Sequence, residues 1–161
     1  MRRSGIRIER VVITSMLAML LAAPALAWDG EEGPFGLGIS AGEPTGVSAK
    51  YFFSENVAID AVVGASFHDE TALHIHTDVL WHFDDQPGVD DNPWSAVFGF
   101  GFRYKFGDAQ ELAGIRVPFG MTYEIGTTPF DAFFEFAPIL NFGSGEDFTV
   151  NVAAGVHYFF K

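Results

Sequence analysis

The segment from Trp94 to Phe106, WSAVFGFGFRYKF, alternates between two kinds of side chain. Every second residue from Trp94 on is apolar, and most are aromatic, whereas those between are small, or are the cations Arg103 and Lys105. Successive side chains of a β-strand point to opposite faces, so this period predicts a strand with one aromatic and one small, polar face. A soluble sandwich would bury the aromatic face and show polar side chains to water. Small residues opposite aromatic ones are typical of a transmembrane strand, with lipid outside and a narrow lumen inside.

The N-terminal residues have the three parts of a secretory signal. Four arginines precede an apolar run from Val11 to Ala23, and the small-residue site Ala25-Leu26-Ala27 follows. This order predicts a signal peptide over residues 1–27 and an acidic tail over 28–34. The alternative is a retained membrane anchor, which the shortness of the apolar run disfavours.

The charge of the chain excludes one class of function. The whole sequence has 9 basic and 21 acidic residues, and the leader holds four arginines and one glutamate, which leaves a mature net charge of −15. Nucleic-acid binding is excluded because so few cations could neutralise phosphates. The absence of cysteine fits an exported protein that needs no disulfides.

Alternating segments recur along the rest of the chain, separated by turn residues. Each is close to the length that a tilted transmembrane strand needs, and no segment after the leader is apolar enough for a spanning helix. A closed barrel is then the solution that leaves no strand edge unpaired in lipid. Eight strands are predicted at about 35–42, 45–53, 57–67, 72–83, 94–106, 114–125, 130–142 and 148–160. The predicted fold class is therefore all-β, an eight-stranded antiparallel transmembrane up-and-down β-barrel over residues 35–161, located in the cell outer membrane.

Two prolines interrupt these patterns. Pro118 and Pro138 fall inside predicted strands six and seven. Proline cannot donate to a strand ladder, so we expect them at bulges or at the ends of the barrel.

Alternation predicts a polar lumen. The interior of an eight-stranded barrel is just wide enough for side chains to fill, which predicts an internal network of ion pairs and hydrogen bonds rather than a pore. Such groups must be paired, because unpaired buried charge is costly. The predicted inward polar residues are Lys50, Asp60, His74, His76, Asp78, His82, Arg103, Lys105, Arg116, Glu124, Asp131, Glu135, Asn141 and His157.

His74, His76 and Asp78 share one face of a predicted strand, where residues two apart point to the same side. Zinc or copper could use such ligands. The alternative is that both histidines are hydrogen-bonded plug residues. The pattern has no third ligand of known position, so no metal or cofactor is predicted, and the three residues stay candidates only.

Catalysis is not predicted. Some eight-stranded outer-membrane barrels modify lipid A with a His-x-Ser pair and an acid. This sequence has no His-x-Ser, and Ser66 and His68 occur in the reversed order at a strand end.

The predicted links between strands are acidic. Their carboxylates could meet lipopolysaccharide through divalent cations, although simple solvation is the alternative. We expect outer-membrane lipid, lipopolysaccharide and the outer-membrane assembly machinery as partners, and a monomer. The acidic positions are Asp69, Glu70, Asp84, Asp85, Asp90, Asp91, Asp108, Glu111, Glu146 and Asp147.

Two stretches resemble a family of small, largely uncharacterised bacterial outer-membrane barrels with spirochaete members. They are GEPTGVSAKY at residues 42–51 and LHIHTDVLWH at residues 73–82, and GIRVP at 114–118 and GVHYFF at 155–160 are similar as well. The resemblance implies an eight-stranded barrel of OmpA/OmpX size with no catalytic residues. Such barrels end on an aromatic residue that is recognised during assembly, whereas here Lys161 follows Phe160.

The sequence thus predicts a small outer-membrane barrel with a structural or envelope role, a plugged polar lumen and no catalysis. One alternative is a soluble exported barrel of lipocalin type, in which the aromatic face points inward to a hydrophobic ligand. A second alternative is a narrow channel for small solutes.

Overall fold

The computed structural model describes residues 33–66, 72–83, 93–106, 111–142 and 147–160. The predicted signal peptide, most of the acidic tail, His68 and most of the acidic link residues lie outside the described residues. Nine strand segments are present: β1 Phe35–Gly42, β2 Thr45–Ser54, β3 Val57–Ser66, β4 Ala72–Phe83, β5 Trp94–Phe106, β6 Glu111–Arg116, β7 Phe119–Glu124, β8 Phe130–Phe142 and β9 Phe148–Phe159. Within these ranges, no helix has the length and apolar character that a membrane crossing requires.

The strands form a closed antiparallel ring. Apart from β6 and β7, strands that are neighbours in the chain pair with each other, and β1 also pairs with β9, from Gly36 opposite Phe159 to Gly42 opposite Ala153. Segments β6 and β7 lie end to end between β5 and β8, and together they form one wall strand. The ring therefore has eight strands, which confirms the predicted eight-stranded antiparallel up-and-down barrel.

The sixth wall strand differs from its prediction. It begins at Glu111 rather than at Gly114, and it is interrupted at Val117 and Pro118. The pairing register with β5 continues across the interruption, because Arg116 lies opposite Gly101 and Phe119 lies opposite Phe98.

Both prolines lie within the barrel wall rather than at bulges or barrel ends. Gly99 N–H donates to Pro118 O at 2.8 Å, and Val117 N–H donates to Pro138 O at 3.0 Å. Proline has no N–H to donate in return, so the wall here loses ladder bonds without losing its register. The expectation of bulges or barrel ends was wrong, and the described register shift lies instead between Phe52 and Ser54.

Burial alternates along the strands as the aromatic pattern requires. Phe98, Phe100 and Phe102 are exposed on the outer surface, and Phe100 has 52% of its surface accessible, whereas Arg103 is 3% exposed. Soluble monomers rarely expose contiguous apolar surface on this scale, and here it covers the outside of a closed wall. The lipocalin-like alternative requires the opposite arrangement, with aromatic side chains inside and cations in water, and the structure contradicts it.

Candidate functional site in the barrel lumen

The lumen collects the polar side chains that alternation assigned to it. Three of the fourteen predicted residues differ from the others in burial: Glu135 and Lys105 are half-buried, and Glu124 is exposed at the end of β7. The rest are buried: Lys50, Asp60, His74, His76, Asp78, His82, Arg103, Arg116, Asp131, Asn141 and His157.

Arg116 stands at the centre of this interior and is fully buried. Its Nε lies 3.0 Å from Asp78 Oδ2, and its Nη2 contacts Glu135 Oε1. One guanidinium thus bridges carboxylates from β4 and β8, on strands that are not adjacent. Charged groups removed from water need such partners, so this bridge ties opposite parts of the wall together through the lumen.

Gly101 makes the bridge possible. It pairs with Asp78 of β4 on one side and with Arg116 of β6 on the other, so it lies directly between the two charges. A Cβ at this position would stand 1.7 Å from Asp78 Oδ1. Only glycine therefore lets the carboxylate cross over β5 to the guanidinium.

A second group of interacting side chains lies beside the first. His76 Nε2 is 3.9 Å from Asp60 Oδ1 and 3.8 Å from Asp78 Oδ2, distances too long for hydrogen bonds. Asp60 and Asp78 come together because they are direct partners in the pairing of β3 with β4. On its other side, His76 Nδ1 is 3.2 Å from His74 Nε2, within hydrogen-bonding distance.

A third group lies towards the end of the barrel where β1 begins and β9 ends. Lys50 Nζ donates to Asp131 Oδ2 at 3.3 Å, and His157 Nδ1 lies 2.8 Å from Asp131 Oδ1. The carboxylate of Asp131 is thus shared between a cation and an imidazole. These three residues come from β2, β8 and β9, so they brace another part of the wall.

Aromatic residues also line this part of the lumen, and the sequence analysis missed them. The Phe133 ring stacks on His157 with the centroids 4.8 Å apart, and Phe52 lies 5.0 Å from His82 and 5.9 Å from Phe159. The alternation of side chains along a strand could have predicted all three, because each lies two residues from an inward polar residue on the same strand. The sequence analysis named only polar residues for the lumen.

At the opposite end of the lumen, Arg103 donates to Asn141 Oδ1, and Asn141 Nδ2 donates to Thr149 Oγ1 at 3.2 Å. A cavity of about 20 Å³ lies deeper, lined by Lys50, Asp60, Pro118, Glu135 and His157 among others. A space of that size holds about one water molecule. Chemically, the described lumen offers buried carboxylates, imidazoles and cations in close contact, with little free volume at this point.

No model of a protein family matches the sequence, and no curated protein matches it. The fold is nevertheless similar to a solved one, the crystal structure of the N-terminal β-barrel domain of Pseudomonas aeruginosa OprF, with a TM-score of 0.62 at 16% sequence identity. The similarity covers 81% of this chain and 100% of the OprF domain chain. This match confirms the predicted OmpA-like barrel fold. Together with the apolar outer surface, the fold confirms the prediction of a barrel in the outer membrane.

Proposed function

We propose that the protein is a structural barrel of the outer membrane, whose lumen is closed to solutes by its own polar side chains and which carries out no catalysis. The observation that carries this proposal is the fully buried Arg116 bridging Asp78 and Glu135 across the middle of the lumen. A solute that passed through would have to break this bridge, which would leave charges unpaired in a poorly hydrated space.

The other contacts support the same proposal. The Lys50–Asp131 and Arg103–Asn141 contacts cross the lumen on either side of Arg116. Each couples strands that do not pair with one another, β2 with β8 and β5 with β8, as cross-braces of a rigid wall would. We further propose that the protein works as a monomer, in contact with outer-membrane lipid and lipopolysaccharide, after insertion by the outer-membrane assembly machinery.

Planar-bilayer recording tests whether the lumen is closed. The folded wild-type protein is expected to give no unitary conductance. The double substitution Arg116→Ala with Glu135→Ala removes the guanidinium and one of its two carboxylates. The central obstruction is then lost without a change in the net charge of the lumen, and we expect this variant to conduct. A matched double substitution on the lipid face, Phe119→Ala with Phe134→Ala, should stay silent. Unitary conductance steps from wild-type protein would favour the narrow channel instead.

The absence of catalysis is tested on the same preparation. Lipid A recovered after incubation with the folded protein is expected to keep its mass. A mass change that occurs only with the folded barrel would contradict the absence of catalysis. It would not bear on the proposal that the lumen is closed.

A further inference from the structure

We propose that the lumen contains a binding site for one divalent transition-metal ion, formed by Asp60, His76 and Asp78, and that Zn²⁺ fits this site. The three donors lie on two adjacent strands, and all three residues are more than nine-tenths buried. Among the described residues this group brings three potential ligand atoms within 4.8 Å of one another. The proposal concerns a different property from closure of the lumen, and it holds or fails independently of it.

The spacing of the donors is the first argument. His76 Nε2 is 3.9 Å from one carboxylate oxygen and 3.8 Å from the other, so the imidazole bonds to neither. A tetrahedral ion about 2.0–2.2 Å from each donor would hold donors roughly 3.4 Å apart. Small rotations of the two carboxylates would bring their oxygens from 3.8 and 3.9 Å to that distance from His76 Nε2.

The unused bonding capacity of the carboxylates is the second argument. Asp60 Oδ1 and both oxygens of Asp78 are buried and accept no hydrogen bond. Arg116 Nε stands near Asp78 Oδ2, but its orientation leaves that oxygen without a hydrogen bond. Buried acceptors without a hydrogen bond are costly, and coordination of an ion would use this capacity, with Asp78 Oδ2 also in an ion pair with Arg116.

The charge balance of the cluster is the third argument. Asp78 and Glu135 share one cation, Arg116, and Asp60, the cross-strand partner of Asp78, adds a third carboxylate, whereas Asp131 is paired separately with Lys50. The deficit of two positive charges equals the charge of one divalent ion. Arg103, which lies opposite His76 in the strand pairing, extends its guanidinium to Asn141, and Lys105 is half-buried near the strand end.

The chemistry of the donors selects the class of ion. One imidazole with two carboxylates suits zinc and related transition metals, whereas calcium takes six to eight oxygen ligands. His74 would orient His76 by accepting a hydrogen bond from Nδ1, which leaves the Nε2 lone pair for the ion. The cavity that borders Asp60 has room for a water molecule as a further ligand.

This arrangement revises the candidate set from the sequence. His74, His76 and Asp78 share a strand face, but the contact with His76 Nδ1 makes His74 a positioning residue rather than a ligand in this site. The third ligand, Asp60, comes from the neighbouring strand.

The test measures metal binding by the full mature barrel, folded in detergent without a histidine tag and stripped by a chelator. Equilibrium dialysis against Zn²⁺ with elemental analysis is expected to give one tightly held ion per chain. Co²⁺ in its place should give the visible absorption of a site with nitrogen and oxygen ligands and low coordination number. Folded wild-type protein that holds no tightly bound Zn²⁺ overturns the proposal without any variant.

Substitutions locate the ion. Asp60→Asn is expected to weaken Zn²⁺ binding by more than the roughly 10–100-fold that loss of a ligand's hydrogen-bond partner costs, and His74→Gln by an amount within that range. Asp131→Asn is the matched control, because it removes an equally buried carboxylate outside the group and should leave binding unchanged. Equal losses in Asp60→Asn and Asp131→Asn, with folding of each verified by a heat-modifiability gel, would contradict the assignment.

Discussion

The outer face and the lumenal face of the barrel wall are built from the same strands, one residue apart, yet different forces hold them. Phe100 projects into the surrounding lipid and Gly101 faces the Asp78–Arg116 bridge. On the outside, any apolar side chain is compatible with lipid, and polar atoms are the ones that cost free energy. In the lumen, a buried polar atom without a partner costs free energy, so identity and position both matter. The comparison indicates that the outer face is specified by composition and the inner face by individual contacts.

Breaking the central bridge should have the largest effect. Arg116→Met leaves the carboxylates of Asp78 and Glu135 without their shared cation, and removing one partner of a buried ion pair costs about 3–5 kcal/mol. Reversible urea unfolding in lipid vesicles measures this loss. Lys105→Met is the control, since this cation is half-buried near a strand end, and it should cost less than about 1 kcal/mol. Equal losses for both variants would contradict a central role for Arg116.

Placing a charge on the lipid face should have the next largest effect. Phe100→Lys puts an ammonium near the middle of β5 and is expected to cost about 2–4 kcal/mol, whereas Phe53→Lys, near the end of β2, should cost about 0–1 kcal/mol. Both phenylalanines are exposed, so the pair differs mainly in depth. The same unfolding titration applies, and a cost independent of depth would argue against a membrane around this surface.

A single methyl group in the lumen should have the smallest effect of the three. Gly101→Ala places a Cβ against Asp78 Oδ1 and against the backbone oxygen of Thr77, and overpacking of this kind costs about 1–3 kcal/mol. When it is combined with Asp78→Ala, the total loss should be smaller than the sum of the two single losses, because one of the two clashes is removed. Additive losses in this double-mutant cycle would mean that Gly101 does not act by making room for the carboxylate.

The bounds of the wall strands could be predicted from the sequence because alternation is a local signal. The predicted strands at 72–83 and 94–106 agree with β4 and β5, since each side chain reports its own face. Register is not local. The meeting of Asp60 with Asp78, and of Asp78 with Arg116, depends on the register between neighbouring strands, and a single-strand pattern such as His74-x-His76 does not contain it.

Two further failures have physical causes. Pro118 was expected at a bulge or at an end of the barrel, yet β5 and β8 hold the strand in register on both sides. Loss of one donor therefore removes a hydrogen bond without displacing the chain. Phe133 was missed because lumenal residues were selected by their polarity, although it lies two residues from Asp131 and so faces the same side of the strand. At this position, the alternation along the strand predicts the facing side better than the residue type does.

The two faces of the barrel wall can be tested directly, because the chain has no cysteine of its own. Single cysteines introduced along β9 as Val150→Cys, Asn151→Cys, Val152→Cys, Ala153→Cys and Ala154→Cys would be spin-labelled in lipid vesicles. In the structure Val150 and Val152 are 40% and 44% exposed, whereas Asn151 and Ala153 are 2% and 6% exposed. High collision rates with dissolved oxygen at positions 150, 152 and 154, and low rates at 151 and 153, are the predicted result. High rates at 151 and 153 instead, or no alternation at all, would contradict the account.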